Sequence, residues 1–250
     1  MSFDTIALVL PSSVIVSAPY TVLQDPVQRA GQYLDAISFY IRQSPFVRII
    51  VCDNSGFVYP NALYQLAATH NKEIELLSFT GDTTLVNSYG KGYGEGEIMD
   101  FVFQNSRLLT KVEGVLKVTG RLKLINAARI VRNCKAGKNY FMPVSLLRPR
   151  FLVPKAAQPC VDIKTWYCTK HFFEEVLRFT YKTVREREVY FLEHAYYTAL
   201  KRSGAKIACF SPAPEFTGMS GSNGWLLKER SPLKKLLIRL SALAGYIRPV

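Results

Sequence analysis

The sequence predicts an α/β domain: a mostly parallel sheet with helices on both faces, followed by a C-terminal amphipathic helix. Three observations carry this. Short apolar runs alternate with stretches of helical period through the first 120 residues, in the order β-α-β-α-β. The runs are continuously apolar, as strands covered on both faces are. They end in polar or glycine-rich turns, as strands that feed crossover helices do.

Taken in order, Ile6–Leu10 is a first buried strand, ended by Pro11. Asp25-Pro26 opens a helix, with proline in its first turn, where the missing N–H costs nothing. Tyr33, Ile37, Tyr40 and Ile41 then recur at the helical period. Val47–Cys52 is a second strand and runs into Asp53-Asn54-Ser55-Gly56. Asn61–His70 is a helix and Glu73–Phe79 a third strand. A glycine-rich loop, Gly90–Glu97, precedes a helix over Glu97–Leu109. Val115–Val118 is a fourth strand, ended by Thr119-Gly120-Arg121, and Leu124–Val131 continues as a helix or a short strand. Tyr140–Pro154 is proline-punctuated and irregular. Asp162–Tyr167 reads as a strand, Lys170–Phe179 and Val189–Lys201 as helices, and Lys206–Phe210 as a last strand. Pro212–Gly224 is a Gly/Ser/Pro-rich connection. Ser231–Ala244 places Leu233, Leu236, Leu237, Leu240 and Leu243 on one side of a helix, with Lys234, Lys235 and Arg239 between them. The chain therefore divides into a body, 1–224, and a basic tail, 225–250, that is a candidate membrane-surface anchor.

At 250 residues and 48% hydrophobic residues the chain can bury a sizeable core, and disorder is excluded. The formal net charge is +13. The tail holds six Lys/Arg against one Glu, a net +5, leaving +8 on the body. Such a surface suits anionic partners: nucleic acid, lipid headgroups or sugar nucleotides. The five cysteines show no CxxC spacing and form no ligand pattern with the three histidines, so they read as reduced thiols and not as a zinc site. No run reaches the ~18 apolar residues a spanning helix needs, and Met1-Ser2-Phe3-Asp4 lacks a basic leader region. The expected location is cytoplasmic, with peripheral attachment at the inner face of a bacterial inner membrane.

The chemistry-bearing residues fall at predicted strand ends, where open α/β sheets bind ligands. Asp53 and Asn54 close the second strand, although Asp-Asn-Ser-Gly is also a strong turn sequence by itself. Lys91, Gly92 and Gly94 combine a cation with glycines that let a backbone approach a phosphate closely. Lys117, Thr119, Gly120 and Arg121 place two cations and a glycine at the end of the fourth strand. Glu95 and Glu97 either complement the amino end of the following helix or act on a ligand. Glu193 sits among Tyr190, Phe191, Leu192 and Ala195, where a carboxylate needs a partner or a role. His194, its neighbour, projects elsewhere on the helix and reads as packed or solvated. Gly218, Ser220, Gly221 and Ser222 form either a lid or a plain connector.

In combination these motifs resemble bacterial GT-A glycosyltransferases of capsule and lipopolysaccharide (O-antigen) assembly. The resemblance rests on Arg29…Tyr33…Tyr40, Asp53-Asn54-Ser55-Gly56, Gly90-Lys91-Gly92-Tyr93-Gly94-Glu95, Lys117-Val118-Thr119-Gly120-Arg121, Phe191-Leu192-Glu193-His194 and Gly218-Met219-Ser220-Gly221-Ser222. It implies a GT-A-like, Rossmann-like sheet and transfer of a sugar from a nucleotide-sugar donor to a lipid-linked oligosaccharide acceptor. It implies that Asp53 and Asn54 hold the nucleoside, that Lys91, Lys117 and Arg121 handle the phosphates, and that Glu193, or failing it Glu95, takes the acceptor proton. One departure matters. The family's usual Asp-x-Asp, which holds a divalent cation, is absent. Cations at the strand end would then neutralise the leaving diphosphate without metal, although Glu95 and Glu97 remain candidates for Mg²⁺ or Mn²⁺. The alternative class is a non-catalytic nucleic-acid-binding protein, which the charge and aromatic content would suit, but no nucleic-acid-binding motif is present and no nucleic-acid partner is expected.

Overall fold

The computed structural model describes residues 1–16, 21–143, 160–219 and 226–227. Seven strands form one mixed sheet in the order β3-β2-β1-β4-β7-β6-β8. Its core is parallel: β1 (Ile6–Ser12) lies between β2 (Arg48–Asp53) and β4 (Gly114–Val118), with β3 (Glu73–Ser78) beyond β2. All seven residues of β1 are buried, which is why the run shows no alternation. Pro11 is tolerated there because β1 pairs with β4 only over Ile6–Val9, so no ladder donor is lost on that side. β7 (Val161–Thr169) joins antiparallel to β4, and β6 (Asn139–Pro143) antiparallel to β7; β8 (Ile207–Ala208) pairs parallel with β6. A small antiparallel sheet, β5 (Leu122–Leu124), β9 (Phe216–Met219) and β10 (Leu226–Leu227), continues from the end of β4.

Helices cover both faces. On one lie α1 (Pro26–Gln43), α2 (Ala62–Thr69) and α5 (Ala127–Asn133), packed on Leu8, Leu10, Ile49, Val51, Leu116 and Val118. The buried positions of α1, Tyr33, Ala36, Ile37, Tyr40 and Ile41, follow the helical period, and the Asp25 carboxylate caps its amino end through Val27 N–H at 2.8 Å. Tyr40 ties this face to the small sheet: its hydroxyl donates to the Leu122 carbonyl and accepts from Leu124 N–H, both at 2.8 Å. On the other face lie α3 (Thr83–Tyr89), α4 (Lys91–Asn105), α6 (Lys170–Phe172) with the wide turn Phe173–Leu177, and α7 (Leu192–Ser203).

The sheet, its parallel core and its two helical layers match the sequence-based fold class. Four elements differ, one of them β9 (Phe216–Met219), a strand within the stretch expected as a Gly/Ser/Pro-rich connection. The glycine-rich stretch expected as a loop is the first turns of α4, which begins at Lys91 and not at Glu97. A separate helix, α3, precedes it, capped by the Asp82 side chain on Leu85 N–H at 2.9 Å. The stretch expected as irregular from Tyr140 begins as β6, because Tyr140, Phe141 and Met142 are buried beside β7. Residues 220–225 and 228–250 lie outside the described residues, and with them Ser220, Gly221, Ser222 and the leucine stripe of the tail. No helix among the described residues is long and apolar enough to cross a membrane.

Candidate active site

The end of β4 organises the site. Lys117 points to the α4 face and is wholly buried. Its ammonium pairs with the Glu95 carboxylate and donates to the Ile163 carbonyl at 2.6 Å and to Thr119 Oγ1 at 3.2 Å. An ammonium has three protons, so all of them are engaged. A buried cation without such partners would be strongly destabilising. The sequence-based expectation of a phosphate contact at Lys117 therefore meets a lysine already committed to Glu95, whose side chain keeps 26% of its surface exposed.

Glu193 lies beside that pair. It stands in the first turn of α7, accepts its own backbone N–H, and is coupled to Glu95, Lys91 and Glu186. Burial raises its pKa above the ordinary carboxylate range, and the negative charge of Glu95 adds to the effect. Glu186 is the third carboxylate. It accepts from Gly92 N–H at 2.8 Å and from the Lys91 amide, which caps the amino end of α4. Burial raises its pKa as well. The structure thus brings Lys91, Glu95, Lys117, Thr119 and Glu193 together, and adds Glu186.

The glycines of this stretch serve packing. A Cβ on Gly92 would meet the Leu192 Cβ at 2.9 Å, one on Gly94 the Asn54 Nδ2 at 3.1 Å, and one on Gly96 the Tyr181 Cβ at 2.0 Å. Glu186 takes the Gly92 amide, and Gly94 sits against the Asn54 side chain and Val86 of α3.

The other side of the β4 end is cationic. The chain turns at Gly120, whose added Cβ would lie 2.3 Å from the Pro11 carbonyl oxygen, so only glycine lets the turn sit against β1. Arg121 then projects to the α1 face. It is buried, donates to Gln32 Oε1 at 2.9 Å, and its guanidinium carbon lies 5.7 Å from the Tyr33 ring centroid. Arg29, also buried, flanks the same ring at 5.8 Å. It donates to the Ser13 and Val14 carbonyls from Nε at 2.9 and 3.2 Å and to the Leu23 carbonyl at 3.0 Å. Burial lowers the Arg29 pKa, and Arg121 pushes it the same way. Two guanidiniums in one wall, with Asp53 as the carboxylate coupled to Arg29, leave that wall net positive.

Asp53 is wholly buried and holds the strand ends. Its Oδ2 accepts from Ser12 Oγ and Val14 N–H, both at 3.0 Å; its Oδ1 accepts from Ser55 N–H at 2.7 Å, Ser55 Oγ at 2.5 Å and Phe57 N–H at 3.3 Å. The turn-forming reading accounts for the bonds to Ser55 and Phe57; those to Ser12 and Val14 tie the turn to the end of β1. Asn54 donates to the Gly94 carbonyl at 3.4 Å, and Glu97 accepts from Asp82 N–H at 3.1 Å. Gly218 lies in β9 at φ +116°, where a Cβ would come 2.5 Å from the Arg121 carbonyl oxygen; it belongs to the small sheet. His194 Nδ1 accepts from Phe191 N–H at 3.0 Å and so helps start α7.

Among the described residues no group of three or more His, Cys, Asp or Glu side chains could hold a metal ion. Sequence reasoning missed Glu186, which lies 91 positions from Glu95 and has no local signal. It quoted Arg29 and Tyr33 within a motif without giving them a role.

No protein-family model matches the chain, and no curated protein matches it in sequence. Among solved structures it is similar to a 4-diphosphocytidyl-2C-methyl-D-erythritol synthase from Anaerococcus prevotii, at TM-score 0.49 and 8% identity over 96% of this chain and 97% of that one. It is similar to core-mannan synthase A from Aspergillus fumigatus in its Mn/GDP form, at TM-score 0.47 and 8% identity over 97% and 88%. A glycosyltransferase of Streptococcus pneumoniae, GlyE, aligns at TM-score 0.48 and 9% identity over 97% of this chain and 64% of that one. At these values the functional reading rests on the side chains at the end of β4.

Proposed function

We propose that the chain is a nucleotide-sugar-dependent glycosyltransferase, acting on a lipid-linked saccharide of bacterial surface polysaccharide assembly. The observation that carries this reading is the charge division at the end of β4. On one side stand Glu95, Glu186 and Glu193, with Lys117 buried beneath. On the other stand Arg121 and Arg29 around Tyr33. The four-residue step from Lys117 to Arg121 keeps their Cα atoms within about 14 Å. A nucleotide sugar carries its phosphates between nucleoside and sugar, with the reacting carbon bonded to the outer phosphate oxygen, so cations beside carboxylates suit it.

In the proposed step, the ionised Glu193 carboxylate takes the proton of an acceptor hydroxyl. The acceptor oxygen forms a bond to the anomeric carbon as the bond from that carbon to the phosphate oxygen breaks. The nucleoside diphosphate leaves with the electron pair, against Arg121. Burial, with the neighbouring charge of Glu95 adding to it, raises the Glu193 pKa and brings the base closer to neutrality. Asp53 acts through the turn it holds at the nucleoside end. No step in this proposal needs a metal.

A thermal-shift series with UDP, GDP, CMP and TDP, each with and without EDTA, tests the reading. Stabilisation by one nucleoside diphosphate that survives EDTA is expected. Stabilisation lost on chelation and restored by Mg²⁺ or Mn²⁺ would overturn the metal-free account. No response to any nucleotide, with binding of random oligonucleotides instead, would overturn the class.

A further inference from the structure

Between Glu113 and Asp162 the chain carries ten Lys or Arg and no Asp or Glu. Some of these cations are engaged inside the fold: Lys117 with Glu95, Arg121 with Gln32, and Lys123 with Asp35 at 2.6 Å. Four others share one surface. Arg129 and Arg132 lie on the outer side of α5, and Lys135 and Lys138 on the turn that follows; all four are exposed. The inner side of α5 is apolar: Ala127, Ile130 and Val131 are buried against the α1 layer. Among the described residues none of the four cations forms an ion pair. The Glu215 N–H reaches the Asn126 side chain at the amino end of α5 at 3.0 Å.

We infer that the outer face of α5 is a docking surface for an anionic lipid bilayer. Four unpaired cations on a rigid, shallow element match a dense plane of negative headgroups. Ile125, 36% exposed, lies two residues before the helix and adds apolar surface there. Residues 125–138 contain no Phe, Tyr or Trp, so the face lacks the stacking side chains that single-stranded nucleic acid requires. The inference stands apart from the transferase reading, because vesicle binding needs neither donor nor acceptor.

The test is flotation of the full-length protein with phosphatidylcholine vesicles, with and without phosphatidylglycerol, at rising NaCl. A cation near an anionic leaflet strengthens binding about fivefold. The variant Arg129→Gln/Arg132→Gln/Lys135→Gln/Lys138→Gln is therefore expected to bind anionic vesicles on the order of 10³-fold more weakly, with a Tm no lower than that of wild type. A control with the same loss of charge at other exposed sites, Arg42→Gln/Lys182→Gln/Lys201→Gln/Lys206→Gln, is expected to bind almost as wild type does. Should the fourfold variant misfold, Arg129→Gln/Arg132→Gln and Lys135→Gln/Lys138→Gln are each expected to lose on the order of 10-fold. Equal losses in the α5 variant and the control would overturn the inference in favour of net charge alone. So would no wild-type binding to anionic vesicles, binding unchanged by the α5 substitutions, or α5-dependent binding of an oligonucleotide without vesicle binding.

Discussion

Glu193 stands in the first turn of α7 with Glu95 and Glu186 beside it, and burial raises its pKa. A carboxyl whose pKa is higher folded than unfolded contributes stability below the ordinary carboxylate range and loses it as pH rises through the folded value. At pH 8 the ionised group is therefore a stability cost, which a catalytic base justifies. Glu193→Gln is expected to lower kcat by about 10²- to 10⁴-fold while raising Tm at pH 8. At pH 4 the gain in Tm should vanish, because the wild-type carboxyl is then protonated. An unchanged kcat/KM with the same Tm pattern would make Glu193 a structural carboxyl only. Arg121 tests the opposite wall. Arg121→Ala removes one preorganised donor and should lower turnover on the order of 10²-fold, about 2.7 kcal/mol of transition-state stabilisation. It should also abolish the thermal shift given by a nucleoside diphosphate. A full shift and full turnover in that variant would place the phosphates elsewhere.

Two helical glycines separate propensity from packing at the scale of the element. Gly31 lies inside α1 with nothing within 4 Å of an added Cβ. Gly31→Ala should stabilise by about 0.5–1 kcal/mol, since alanine is the better helix former and restricts the unfolded chain. Gly96 lies inside α4, where the same Cβ would be 2.0 Å from the Tyr181 Cβ. That atom cannot swing aside as a side-chain tip can. Overpacking of about 1–3 kcal/mol should outweigh the propensity gain, so Gly96→Ala destabilises. Urea unfolding of the two variants checks both signs. Stabilisation by both would mean that α4 shifts freely over Tyr181, and the seat of Glu95 would be softer than its ion pair implies.

Net charge acts on the molecule as a whole. At +13 the folded state repels itself, and salt screens repulsion over about 8–10 Å. Salt also weakens exposed ion pairs such as Lys111–Glu73 and Lys123–Asp35, each worth about 0.2–1 kcal/mol. Long-range repulsion among 32 cations and 19 carboxylates should exceed these few pairs. Tm is therefore expected to rise by a few degrees as NaCl increases to about 300 mM. A Tm that falls with NaCl would show that the surface pairs dominate.

The parallel core was legible in the sequence because burial on both faces writes a continuous apolar run, as in Ile6–Leu10 and Val47–Cys52, and because α1 keeps its helical period under an Asp-Pro start. These are local signals, complete within one element. The stretch Gly90–Glu97 misled because glycines lower helix propensity, whereas here α4 needs them where Leu192, Asn54 and Tyr181 come close. Lys117, Glu95 and Glu193 could be named from the sequence, but their mutual arrangement could not, since it depends on which face of β4 each side chain takes and on how α7 meets α4. Glu186 and the Arg29–Tyr33–Arg121 cluster had no spacing to reveal them. Sequence alone determined the elements and the residues able to do chemistry. Tertiary structure decided which charges became partners, because the energy of a buried charge depends on neighbours that the chain brings together only when it folds.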